Sequence, residues 1–249
     1  MNIIEINSLK RTGHHAFTNW LISNLHGVKY QEELSKWKYN HIFGSQTILW
    51  INEGEIDIKK HPSYIENHIG SIDTLIITYE GVSKEMNNHP IYSITQENKN
   101  NNWNIQNHHQ ITFIRDFYNT MSSLSKSSNI QWFLDHGWDF SKPGPFGDMM
   151  YQTYKKLLRD YLENDNGILY DKWVSNEEYA NEICLKLTGK PNQYHPLEIG
   201  GSPSSFDNRE LTLDKILNRS ETGNIPTWLM KRVVGDNEIQ EMLNKALYK

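Results

Sequence analysis

The 249-residue sequence has little cysteine, no long apolar run and only a small net charge. Its one cysteine, Cys184, excludes an internal disulfide and is typical of a reducing compartment. No run approaches the roughly 18 apolar residues of a membrane span, and no signal-peptide core opens the chain, so we expect a cytoplasmic protein. The net charge of -5 argues against a nucleic-acid or membrane partner. A small anionic ligand needs only a few convergent basic groups.

Two motifs that would explain a phosphate or metal site directly are also missing. The segment "SLKRTGHHAFTNWL" (8–21) follows an apolar run, as a phosphate-binding loop does. It has neither the glycine spacing nor the Gly-Lys-Ser/Thr ending that nucleotide triphosphatases use. The histidines show no ligand spacing with cysteine or carboxylates, so we predict no metal site. Cys184 lies in a helical pattern, which favours a buried structural role over a nucleophilic one.

The pattern of apolar residues predicts a fold. Short runs rich in Ile, Leu and Thr indicate four buried parallel strands: "NIIEI", "TLIITYE", "HQITFIRD" and "NGILYD". Helical patterns follow or intervene, which predicts an α/β, three-layer, P-loop-like fold with a central parallel sheet flanked by helices. We expect one domain over residues 1–249. Ligands of such sheets lie outside the carboxyl ends of the strands, where Arg11, Glu80, Arg115 and Asp171 fall.

The first strand-to-helix loop is a candidate anion site. The first backbone N–H groups of a helix are unpaired and attract anions. Gly13 permits close approach, Thr12 adds a hydroxyl, and Arg11 adds a permanent positive charge. His14 and His15 complete the loop. The alternative is an ordinary turn with a solvated arginine.

A second loop makes the first more informative. "ITFIRDFYNTMSSLSKS" puts Arg115 at the end of a strand and Ser123 about two turns into the next helix, although Arg115 could instead pair only with Asp116. With the first loop, this spacing resembles the 3'-phosphoadenylyl-sulfate (PAPS)-dependent sulfotransferases. The resemblance implies that the first loop holds the 5'-phosphosulfate. It also implies that Arg115 and Ser123 hold the 3'-phosphate.

Further segments resemble that family in the same order along the chain. "GILYDKWVSNEE" implies that Tyr170 lies at the adenine, and "PSSFD" implies that Ser204 and Phe206 lie beside the base. "NRSETGNIPTW" implies that Arg219 contacts the 3'-phosphate. The sequence departs from the family at several positions: His14 and His15 replace small hydroxyl residues, Ala16 replaces a tryptophan with Trp20 one turn away, Phe117 replaces a proline and Ser220 replaces a glycine.

The catalytic base is predicted from "LIITYEG". Glu80 ends this strand where other branches of the family use glutamate as the base, so we favour it. His15 or His14 is the rival, and a structural role for Glu80 is the third possibility. Because the two histidines are adjacent at a helix start, we expect their side chains to diverge.

The resemblance implies a sulfotransferase that moves a sulfuryl group from PAPS to a hydroxyl or amine, leaving adenosine 3',5'-bisphosphate. Arg11 would act on the leaving phosphate, and no metal is needed. We expect a small-molecule or glycan acceptor to contact residues 30–50 and the "WFLDHGWDF" segment. The alternatives are a P-loop small-molecule kinase and an inactive nucleotide-binding module. The sequence does not indicate an oligomeric state.

Overall fold

The computed structural model describes residues 2–9, 12–27, 46–52, 55–57, 74–80, 104–125, 142–199, 212–218 and 225–249. Its strands are β1 Asn2–Ser8, β2 Gln46–Asn52, β3 Glu55–Asp57, β4 Thr74–Glu80, β5 Asn107–Ile114 and β6 Gly167–Leu169. They form one sheet in the order β3-β2-β4-β1-β5-β6. Strands β4, β1, β5 and β6 are parallel, whereas β2 pairs antiparallel with both β4 and β3.

The predicted α/β fold with a central parallel sheet is confirmed, and all four predicted strands are present. In the central strand β1, the consecutive residues Ile3, Ile4, Glu5 and Ile6 are all buried, as expected for a strand covered on both faces. The antiparallel strands β2 and β3 were not predicted. Residues 46–50, part of the segment expected on the acceptor side, pair with β4, and their contact with an acceptor stays a prediction.

Nine described helices flank this sheet. They are α1 His14–His26, α2 Phe117–Ser125, α3 Pro145–Glu163, α4 Tyr170–Ser175, α5 Glu177–Thr188, α6 Pro196–Ile199, α7 Leu213–Leu217, α8 Thr227–Gly235 and α9 Asn237–Tyr248. Tyr170 and Asp171 were predicted to end a strand, and this was wrong. Strand β6 ends at Leu169, and both residues begin α4 instead.

The helices form two layers, one on each face of the sheet. On the first face, Phe17 and Trp20 of α1 pack with Ile4, Phe113 and helices α4 and α5. On the second face, helices α2, α3, α8 and α9 pack together with Ile114 at the end of β5. The arrangement is therefore three-layered, as predicted. The single domain over residues 1–249 stays a prediction.

The strand order reverses between β1 and β5. The chain leaves β1 through α1 on the first face and adds β4 on one side, then adds β5 and β6 on the other side. Helix α2, which follows β5, lies on the opposite face from α1. Such a reversal opens a crevice outside the carboxyl ends of the two central strands, which is where doubly wound folds bind ligands.

Candidate functional site

The carboxyl ends of four strands meet at this crevice. Ser8 of β1 lies in register with Glu80 of β4 on one side and with Phe113 of β5 on the other. On the far side of β5, Ile114 pairs with Leu169 of β6. The segments that follow these strands therefore leave the sheet at one edge, about 5 Å apart from strand to strand.

The loop after β1 ends in a helix terminus without a side-chain cap. The Thr12 hydroxyl donates to the Leu9 carbonyl at 2.9 Å, so it shapes the turn. Gly13 adopts φ 95° at the N-cap of α1 and Phe17 N–H donates to its carbonyl at 3.1 Å. The N-cap residue Gly13 has no side chain to cap α1, and the first turn of the helix holds no acidic residue. The positive end of the helix is therefore not compensated by a carboxylate of its own first turn. Arg11 lies outside the described residues.

The rings of the two histidines in the loop contact each other. Their centroids are 4.0 Å apart with the planes tilted by 41°, so the expected divergence of their side chains was wrong. Successive helical residues point about 100° apart, but rotation about the side-chain bonds brings these two rings together. His14 is buried, whereas His15 is partly exposed.

Tyr170 lies directly against the first loop. A Cβ atom added to Gly13 would come within 2.7 Å of ring carbon Cδ2 of Tyr170, closer than any ordinary contact. Gly13 is thus required twice, for its positive φ and for the missing side chain. Tyr170 is buried, and its ring also packs edge-on against Phe113.

The guanidinium of Arg115 packs over the same tyrosine ring. The Arg115 Cζ atom lies 4.6 Å from the ring centroid, and the Arg115 side chain is only 2% exposed. Its Nε atom lies 3.7 Å from Oδ1 of Asp171, and its backbone carbonyl accepts from the Tyr154 hydroxyl at 3.0 Å. An ionised arginine in such surroundings needs a partner of opposite charge, and Asp171 supplies one.

Asp116, the sequence neighbour of Arg115, serves a different purpose. Its Oδ1 atom accepts from Asn119 N–H at 2.8 Å and so caps α2. Burial raises the pKa of Asp116, and the Asp171 carboxylate adds to this, against the lowering by the Asn119 hydrogen bond and the charge of Arg115. The N-terminus of α2 therefore already has a carboxylate, in contrast to that of α1.

The remaining predicted contacts divide into three groups. Ser123 is buried in α2, about two turns from its start as predicted. Trp20 lies in the core, where its indole N–H donates to the Tyr194 carbonyl at 2.8 Å. Three predicted contact residues, Ser204, Phe206 and Arg219, lie outside the described residues. Nearly all of the expected acceptor side lies outside them as well.

Glu80 is described by its backbone alone. It is the last residue of β4 and lies in register with Ser8, five residues before Gly13. Its backbone is thus at the carboxyl edge of the strand next to β1. Its role as the base stays a prediction.

Two contact residues were missed by the sequence analysis. Asp171 was placed at the carboxyl edge without a role, yet it holds both the Arg115 side chain and, through Oδ2, the Asp116 N–H at 2.9 Å. Its position directly after Tyr170 was the only signal. Tyr154 lies in the middle of a long helical pattern, and nothing there distinguishes it from a core tyrosine.

No protein-family model and no curated protein matches this chain. A solved structure of the sulfotransferase domain from the curacin biosynthetic pathway aligns with 100% of this chain and 98% of its own, at 11% identity and a TM-score of 0.39. A TM-score of this size assigns the chain neither a family nor an activity.

Two further observations concern the described ranges. No helix there combines the length and the apolar character that crossing a membrane demands. The same residues contain no group of three or more His, Cys, Asp or Glu side chains placed to hold a metal ion.

Proposed function

We propose that this protein is a sulfotransferase that uses PAPS as its donor. The observation that carries the proposal is the Tyr170 ring, which contacts both Gly13 of the first loop and the guanidinium of Arg115. The family resemblance assigns these two segments to the 5'- and 3'-phosphates of one nucleotide. Contact with a common ring at the strand-order reversal is what a single bisphosphate ligand would require.

The proposed roles follow from charge and position. The uncapped start of α1 would bind the 5'-phosphate, with Arg11 adding positive charge, while Arg115, Ser123 and Arg219 would bind the 3'-phosphate. Tyr170, Ser204 and Phe206 would contact the adenine. PAPS supplies an activated sulfuryl group when bound. The acceptor oxygen or nitrogen forms a bond to sulfur as the bond from sulfur to the 5'-phosphate oxygen breaks, and Glu80 takes the acceptor proton.

The test is a binding comparison that needs no acceptor. We expect adenosine 3',5'-bisphosphate to bind at micromolar concentration or tighter and AMP to bind much more weakly, because only the bisphosphate engages Arg115. Arg115→Ala should weaken bisphosphate binding by roughly ten- to a hundredfold, as expected for loss of a charge-assisted contact. Calorimetry measures both ligands, and equal affinity for the two would refute the proposal.

Two additional measurements distinguish a PAPS-dependent sulfotransferase from a small-molecule kinase and from an inactive nucleotide-binding module. A small-molecule kinase would prefer ATP with Mg²⁺ and lose that binding in a chelator, whereas a PAPS-binding site needs no metal. An inactive module would bind the bisphosphate and transfer no sulfuryl group to any hydroxyl or amine offered. A thermal-shift screen of AMP, ADP, ATP and the bisphosphate, with and without chelator, addresses the first point.

A further inference from the structure

Asp171 contacts both the side chain of Arg115 and the backbone of the next residue, Asp116. Its Oδ1 atom lies 3.7 Å from the Nε atom of the guanidinium, and its Oδ2 atom accepts from the backbone N–H of Asp116 at 2.9 Å. The carboxylate is therefore fixed to the backbone of the segment whose side chain it orients. Asp171 is 19% exposed, whereas the Arg115 side chain is 2% exposed, so the acid is the more solvent-accessible member of the pair.

Tyr170, the residue before Asp171, also contacts the Arg115 guanidinium. Tyr170 presents its ring to the face of the Arg115 guanidinium, and Asp171 presents a carboxylate to the Nε edge. These two residues begin α4, so one short segment places an aromatic ring and a carboxylate against the same guanidinium. At 3.7 Å the carboxylate and the Nε atom form an ion pair and not a hydrogen bond, so Asp171 acts on Arg115 through its charge.

We propose that Asp171 is a positioning residue that sets the orientation in which Arg115 meets the 3'-phosphate. This rests on the proposed function for the identity of the ligand. The orientation itself is a property of the protein alone. Discrimination between a nucleoside 3',5'-bisphosphate and a 5'-monophosphate would then depend on Asp171, although Asp171 repels phosphate.

The direction of the effect follows from the charges around Arg115. Without the Asp171 charge, the ion pair at 3.7 Å that holds the buried guanidinium beside the Tyr170 ring is lost. The guanidinium would then be able to rotate. Because a bidentate contact with phosphate requires a defined fork geometry, this rotation weakens the 3'-phosphate contact more than removal of a negative charge strengthens it.

The binding test uses Asp171→Asn, which keeps an oxygen for the Asp116 N–H and removes the charge. We expect the affinity ratio of bisphosphate to AMP to fall by about tenfold, with AMP affinity unchanged within about twofold. In an Arg115→Ala background, Asp171→Asn should leave the ratio unchanged, because Asp171 acts through Arg115. Asp148→Asn is the control, since Asp148 also lies in the first turn of a helix and pairs with an arginine, Arg232, at an exposed position.

A second measurement requires no nucleotide. Nitrogen-15 NMR of arginine Nε–H groups should show an Arg115 signal, assigned by its loss in Arg115→Ala, that shifts or broadens in Asp171→Asn and not in Asp148→Asn. An unchanged signal overturns the positioning role, as does an equal Asp171→Asn effect with and without Arg115. If the signal responds while the intact protein binds AMP and bisphosphate equally, the PAPS proposal fails and the positioning of Arg115 stands.

Discussion

Gly13 is the residue on which the candidate site most directly depends, because its backbone and the Tyr170 ring occupy space that a side chain would need. Gly13→Ala places a Cβ atom against that ring at φ 95°. We expect a loss of about 2–4 kcal/mol in the free energy of unfolding, from left-handed strain and overpacking together. Urea denaturation measures it.

Gly189→Ala provides the matched control for this prediction. Gly189 also has a positive φ, of 70°, but a Cβ atom there would meet nothing within 4 Å. It should lose only the roughly 1–2 kcal/mol of the left-handed conformation. Equal losses at the two glycines would show that the Tyr170 contact contributes nothing.

Arg115 allows a residue-scale test of shape at constant charge. Arg115→Lys keeps a cation but loses the planar group that stacks on Tyr170 and binds phosphate with two donors. We expect bisphosphate affinity to fall by about tenfold and AMP affinity to stay within about twofold, measured by calorimetry. Arg232→Lys is the control, because Arg232 also stacks on a tyrosine, Tyr151, at 4.5 Å and lies away from the strand ends. Equal effects at both positions would contradict a specific role for Arg115.

At the scale of elements, Asp236 joins helices α3, α8 and α9. It caps α9 by accepting from Ile239 N–H at 3.2 Å, and its Oδ2 atom accepts from Lys155 Nζ and from the Tyr151 hydroxyl, both at 2.7 Å. The hydrogen bond from Lys155, followed by that from Tyr151, lowers the pKa of Asp236 to about 2. A carboxyl with a depressed folded-state pKa stabilises the fold above its unfolded pKa of 3.8, and this contribution is lost as the pH falls toward 2.

Asp236→Asn tests this linkage because asparagine caps a helix as well as aspartate does. The variant should be less stable than the original by about 1 kcal/mol at pH 7, because it loses an ion pair whose two side chains are only partly exposed. The difference should shrink as the pH falls from about 4 to about 2, where Asp236 itself becomes protonated. Urea denaturation at several pH values measures the difference. If the difference in the free energy of unfolding were the same at pH 7 and pH 2.5, the effect would come from packing and not from the charge of Asp236.

For the molecule as a whole, the sequence predicted the elements better than the contacts between them. Runs of buried apolar residues identify β1, β4, β5 and β6 because both faces of each strand are covered. The pairing of Arg115 with Asp171 could not be predicted, since Asp116 is also an aspartate and is adjacent to Arg115 in sequence. Only the parallel pairing of β5 with β6 brings residue 171 to residue 115. The contact between the His14 and His15 rings was not predicted, because the spacing of two residues does not determine their side-chain torsion angles.

The prediction that Glu80 is the catalytic base depends on the strand order of the sheet. Glu80 ends β4, whereas the loop proposed to hold the sulfuryl donor follows β1, and the two strands are neighbours in the sheet. Glu80→Gln keeps the shape of the side chain and removes its basic oxygen. Turnover should therefore fall by about a hundredfold or more, while bisphosphate affinity barely changes. The assay pairs a labelled sulfuryl donor with a panel of hydroxyl and amine acceptors.

His15→Ala distinguishes this assignment from its rival. His15 contacts the His14 ring in the first turn of α1. The variant should lose less turnover than Glu80→Gln and should also weaken bisphosphate binding, because it disturbs the loop that would hold the 5'-phosphate. Near-normal turnover in Glu80→Gln together with complete loss of turnover in His15→Ala would show that His15, and not Glu80, is the catalytic base.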